Sequence, residues 1–108
     1  MIRTLVVDDD YRVADVNAAF VERVSGFSLC GRARTAAEAV KNVKQFIGSG
    51  HHRCVCIVHG RGLHSAGNVP VLKARVRECL RQHRAVLAYA DAPRTDGGTG
   101  AVYVLLRR

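Results

Sequence analysis

Three features of this 108-residue sequence predict an α/β fold built on a five-stranded mixed sheet with helices packed on it. Short β-branched runs alternate with stretches of three- and four-residue apolar spacing, and that alternation calls for parallel strands joined through helices. The run Arg53 to Val58 (RCVCIV) is apolar on both of its alternating faces, as expected for an interior strand covered by helices. The last two apolar runs are separated only by PRTDGGTG, a stretch of turn formers short enough to make them an antiparallel pair.

The elements follow in the order βαβαβαββ. Ile2 to Val7 (IRTLVV) is a buried strand that opens into Asp8, Asp9 and Asp10. From Tyr11 to Val24, the residues Val13, Val16, Phe20 and Val24 mark one helical face, and Gly26 supplies the stop. Phe27 to Ala33 is the second strand. Thr35 and Glu38 fit a capping box that starts a helix with Ala39, Val43, Phe46 and Ile47 on one side, ending at Gly48-Ser49-Gly50. Strand Arg53 to Val58 ends in His59-Gly60-Arg61-Gly62. Pro70 stands in the first turn of a third helix with Val69, Leu72, Val76 and Leu80 as its inward stripe. Ala85 to Ala90 and Ala101 to Leu106 complete the sheet.

Length allows one core and too little chain for two, so residues 1–108 read as a single domain. The hydrophobic fraction of 48% and charged fraction of 24% are those of globular proteins and argue against disorder. No apolar run approaches the ~20 residues of a membrane span, and no targeting segment is evident. The four cysteines, Cys30, Cys54, Cys56 and Cys79, lie in core-like patterns and read as buried free thiols of a cytoplasmic protein. They form no CxxC pair, and no zinc site is expected. His51-His52 reads as a solvated turn, and His83 as a residue that favours the third helix's dipole when protonated. Charge is uneven: the first 47 residues carry seven Lys/Arg against six Asp/Glu, the remainder ten against three. A basic second half suits phosphate contact, and equally a solvated basic face.

The segments LVVDDDYRVAD, AAFVERVSGF and GRARTAAEAV resemble the front of a response-regulator receiver domain, a flavodoxin-like fold, over about residues 1–45. That resemblance implies magnesium binding by Asp8 and Asp9, and adjacent carboxylates at a strand end suit a hard cation with oxygen ligands. It also implies a phosphate-accepting aspartate after the third strand, yet that strand ends Ile57-Val58-His59-Gly60. Phosphotransfer is therefore not expected.

From about residue 50 to 108, the segments IVHGRGLHSAGNVPVLKARVRECL, AVLAYADA and DGGTGAVYVLLRR resemble the Smr (small MutS-related) domain. Smr domains bind nucleic acid, and some nick DNA or cleave RNA. Their two glycine motifs correspond here to His59, Gly60, Arg61 and Gly62, and to Gly97, Gly98, Thr99 and Gly100. Read without the family, the glycines let backbone approach a phosphate closely or simply turn the chain, while Arg61 and His64 offer charge and donors. Lys73 and Arg94 add further contacts in the basic half. The Asp-Leu-His-Gly signature of the first Smr strand is missing, its nearest counterpart being Ser28-Leu29-Cys30-Gly31.

The two resemblances together predict the strand order 2-1-3-5-4 with only the last strand reversed. They also suggest a seam between Val40 and His52, and with it an engineered or recombined chimera, a de novo protein without intact natural activity and not an enzyme. The alternatives are a weak, unspecific nucleic-acid-binding module, or a weak metal-dependent nicking nuclease. In the latter, Asp8 and Asp9 would face His59 and Arg61 across a crevice at the sheet edge. No cofactor is expected beyond weak magnesium at the acid pair, no obligatory partner, no membrane, and a monomer or homodimer.

Overall fold

The structure is a computed structural model that describes residues 2–47, 54–60, 71–96 and 98–107. Its strands are β1 (Ile2–Val7), β2 (Phe27–Ala33), β3 (Cys54–Val58), β4 (Val86–Asp91) and β5 (Ala101–Leu106), and its helices α1 (Tyr11–Arg23), α2 (Ala36–Ile47) and α3 (Val71–Gln82). The sheet runs β2-β1-β3-β5-β4, the predicted order. β1 is parallel to β2 and β3, whereas β5 is antiparallel to β3 and β4. The C-terminal ends of β1, β3 and β4 and the start of β5 therefore share one edge.

Strand alternation divides the core. Leu5 and Val7 of β1, Val55 and Ile57 of β3, and Val102, Val104 and Leu106 of β5 point to the face closed by α2, through Ala39, Val40 and Val43, and by α3, through Val76 and Leu80. Val6 points the other way, onto Ala14, Ala18 and Val21 of α1. The interior position expected for β3 is observed, and Val55 and Ile57 are fully buried.

The inward face of α1 departs from the expectation. Ala14, Ala18 and Val21 are buried, while Val16 and Phe20 are 69% and 66% exposed. Small residues win because α1 lies close over the sheet, and the bulkier stripe is rotated to its flank. Leu87 of β4 and Leu105 of β5 are also exposed. None of the four cysteines is in a disulfide, but Cys30 and Cys54 are exposed, one on the edge strand β2 and the other at the start of β3; of the four, only Cys56 is buried.

Helix starts use the predicted chemistry with changed partners. Thr35 Oγ1 accepts from Glu38 N at 3.1 Å, and the Glu38 carboxylate accepts from Arg34 N, one residue ahead of the cap. Asp10 caps α1, accepting from Arg12 N at 2.9 Å. His83 closes α3: its backbone N–H donates to Leu80 O, and its Nδ1 accepts from Ala85 N at 3.1 Å. No helix among the described residues is long and apolar enough to cross a membrane.

Candidate nucleic-acid interface

The site begins where β3 leaves the sheet. His59 continues the face of Ile57, because its N–H still pairs across to β5's leading turn, donating to Gly100 O at 3.0 Å. Gly60 N–H donates to the same oxygen at 2.9 Å. One carbonyl thus ties the His59-Gly60 turn to the turn formed by Gly98–Gly100. Gly60 has φ +78° and Gly98 has φ +55°, conformations that a side chain resists. The two glycine motifs read from the sequence are one structural unit.

His59 is 3% exposed. Its Nδ1 lies 2.7 Å from its neighbour's carbonyl, Gly60 O. A carbonyl only accepts, so Nδ1 carries the proton, and the neutral ring presents Nε2 as an acceptor. Nε2 is buried and has no partner among the described residues. Burial lowers the His59 pKa from its usual 6.5, and the charges of Lys73 and Arg77 lower it further, while the Gly60 carbonyl and Asp91 act in the opposite sense. Those charges also locate the ring: it faces α3 and the end of β4.

Lys73 and Arg77 stand four residues apart on α3, on one side of the helix. Lys73 Nζ lies 3.5 Å from Asp91 Oδ1, and Arg77 donates to the same oxygen. The Arg77 guanidinium also sits 5.8 Å from the centroid of the Tyr89 ring. Its Nε is buried without a partner among the described residues. No acid lies in the first turn of α3 to offset the positive end of the helix.

The expected crevice does not bring Asp8 to His59, and no contact joins Asp9 to His59 among the described residues. β1 and β3 are neighbours with Val6 opposite Val58, but alternation carries Asp8 to the α1 side and His59 to the α2/α3 side. Asp8 instead accepts from Asp10 N at 2.9 Å. Burial raises its pKa, as do the charges of Asp9 and Asp10, against the lowering effect of the Asp10 amide. No cluster of three or more His, Cys, Asp or Glu side chains among the described residues is arranged to hold a metal ion.

Of the other predicted residues, Gly98 and Gly100 join the site, and Arg94 lies exposed in the short turn Arg94–Asp96 after β4. Arg61, Gly62, His64 and Gly97 lie outside the described residues, as do His51, His52, Val69 and Pro70. Sequence reasoning missed Arg77 and Asp91. Arg77 is one of several basic residues on α3, and only its spacing from Lys73 distinguishes it. β4 extends to Asp91, one residue beyond the predicted end at Ala90. Asp91 consequently sits at a strand terminus rather than in a linker.

The fold and this edge define the class: a small α/β domain with a mixed five-stranded sheet, in which two glycine turns meet beside a buried histidine and a pair of cations. The chain belongs to the Smr family: the Smr domain profile matches residues 32–107. Among curated proteins, it is similar to Ribosome rescue factor SmrB of Tolumonas auensis, 38% identical over 58 residues that cover 54% of this chain and 30% of that protein. SmrB of Yersinia enterocolitica is 43% identical over 56 residues, covering 52% and 28%. The match therefore spans less than a third of either relative. Among solved structures, the Smr domain of Thermus thermophilus MutS2 aligns with TM-score 0.52 and 32% identity, covering 68% of this chain and 89% of that one. YdaL, a stand-alone small MutS-related protein from Escherichia coli, aligns with TM-score 0.58 and 31% identity, covering 68% and 56%.

These matches correct the reading of the chain as a chimera. The Smr likeness begins at Arg32 within β2, not near residue 50, and extends through the segment where a seam was expected. The last receiver-like motif, GRARTAAEAV, lies within it from Arg32 onward. A receiver half, a flavodoxin-like sheet and a de novo or engineered origin without natural activity are therefore set aside. The misleading features are common to many βα units: a β-branched strand, acids at its end, and a capped helix. Antiparallel β5, lying between β3 and β4, also departs from an all-parallel flavodoxin-like sheet.

Proposed function

We propose that residues 1–108 act as a single RNA-binding Smr module that holds phosphates at the sheet edge formed by β3, β4 and the start of β5, without turnover. The observation that carries this reading is the junction of the His59-Gly60 and Gly98–Gly100 turns through one carbonyl, beside Lys73 and Arg77. Backbone held in glycine turns approaches phosphate closely, and the two cations supply charge-assisted donors. In sequence, Arg61 and His64 follow directly after His59-Gly60 and add charge and donors to the basic half, and Arg94 stands exposed in the short turn after β4. The names of the SmrB relatives favour RNA over DNA as the ligand. Binding without cleavage is favoured by the missing Asp-Leu-His-Gly signature. Independence from magnesium is favoured by Asp8 and Asp10, each of which has an oxygen engaged by a nearby amide.

The test is fluorescence anisotropy with a labelled unstructured single-stranded RNA and the same DNA sequence, with and without magnesium, over a salt series. The reading expects tighter binding to RNA, unaffected by chelation, weakening steeply with salt as counterion release diminishes. Failure to bind RNA, or affinity indifferent to salt, would overturn it. Preference for DNA would keep the surface and reject the ligand. RNA cleavage lost in a His59→Ala variant would replace binding with catalysis.

A further inference from the structure

We propose that Asp91 is an internal competitor for RNA phosphate, a carboxylate that occupies the Lys73–Arg77 pair and must be displaced before a phosphate can take its place. The proposal rests on the RNA-binding reading and adds a residue that sets its affinity.

Both cations converge on a single oxygen, Asp91 Oδ1, which accepts from Arg77 and lies 3.5 Å from Lys73 Nζ. The side chains of Lys73, Arg77 and Asp91 are 19%, 31% and 39% exposed, so the cluster is partly sheltered yet open to an incoming anion. Two positive charges face one negative charge. The surplus is not only electrostatic: Arg77 Nε and His59 Nε2 are buried and unpartnered among the described residues. A guanidinium with an idle N–H beside an engaged terminal nitrogen is half of the fork that phosphate and carboxylate both fit. Stacking near Tyr89 holds that fork in place.

A phosphodiester presents the same pair of charged oxygens as a carboxylate and suits the same donors. It also brings a sugar hydroxyl within the class of groups able to donate to an unpartnered ring nitrogen such as His59 Nε2. Asp91 comes from β4 whereas its partners come from α3, so the contact can open without unwinding either element. A carboxylate that satisfies the cations in the free protein lowers net affinity, because each binding event must break two charge-assisted contacts.

The test compares the parent with Asp91→Asn and with Asp91→Thr, a β-branched replacement suited to a strand end that guards against a folding defect peculiar to asparagine. Melting curves accompany RNA titrations at several salt concentrations. Glu22→Gln, at an exposed position on α1, controls for the change in net charge. Both Asp91 variants should bind the single-stranded RNA about threefold to tenfold more tightly than the parent, and more tightly than the Glu22 control. The gain should vanish when Lys73→Met and Arg77→Met are already present. An equal gain in that background, or a gain matched by the Glu22 control, would reduce the effect to overall charge and overturn the competitor. Unchanged or weaker binding by both folded Asp91 variants, with the parent still binding RNA, would sink this proposal and leave the RNA reading standing. Absence of RNA binding in every chain would end both.

Discussion

The ends of β1 and β3 lie side by side on one sheet edge, yet they have different fates. The β1 end carries three acids, two of which turn their hydrogen bonds inward on the chain itself: Asp8 accepts from Asp10 N, and Asp10 caps α1. The β3 end carries a histidine with a buried, unpartnered nitrogen, beside two cations that share one carboxylate. Density of chemically active residue types favours the first as a functional site. Unused hydrogen-bonding capacity favours the second, because a buried polar atom left without a partner costs stability that a ligand can restore.

Substitution in the core tests how firmly the β3 end is built. Ile57 is fully buried on the face closed by α2 and α3, two residues before His59. Ile57→Ala should lower stability by about 2–4 kcal/mol in a denaturant melt. A loss within the small range expected of a surface site would mean that this face is not packed as described.

Acid separates the two ends by sign. The folded-state pKa of His59 lies below its ordinary value of 6.5, so below that pH the unfolded chain binds more protons than the folded one. Stability from this group is complete above pH 6.5 and is lost as pH falls toward the folded value. His59→Gln should flatten the decline measured by thermal melts between pH 7 and 5. An identical decline in parent and variant would assign it to other groups.

Asp8 has the opposite shift, and ionisation at neutral pH costs the fold a little. Asp8→Asn keeps the Oδ1 acceptor for Asp10 N and removes the charge. It should raise stability at pH 7, by less than about 1 kcal/mol given the solvent screening at this half-exposed site. A clear loss would show that the carboxylate does more than serve its local turn. Smallest of all, Phe20→Ser on the exposed flank of α1 should change stability by no more than about 0.5 kcal/mol, while improving solubility at high concentration.

Much of the fold was legible because its signals are local or repetitive. RCVCIV identified the central strand, and PRTDGGTG identified the antiparallel pair. The site was half legible. His59, Gly60, Gly98 and Gly100 were named from their glycine motifs and Lys73 from the charge of the basic half, but Asp91 was hidden by a one-residue error in the end of β4, and Arg77 by the basic residues around it. The inward face of α1 was misread because periodicity ranks residues by hydrophobicity, whereas close helix-to-sheet packing selected Ala14 and Ala18. The crevice joining Asp8 to His59 failed for a simpler reason: neighbouring strands share an edge without sharing a face.

The most direct test of the account is RNA affinity, measured by anisotropy over a salt series, in Lys73→Ala/Arg77→Ala beside Asp8→Asn/Asp9→Asn. The account predicts that the first variant loses about tenfold or more in affinity and that its salt slope becomes shallower by about 1.4 for two lost single-strand phosphate contacts. The second should bind as the parent does, or slightly more tightly. Loss of binding in the acid variant, with the Lys73/Arg77 variant unaffected, would contradict the account and return the functional edge to β1.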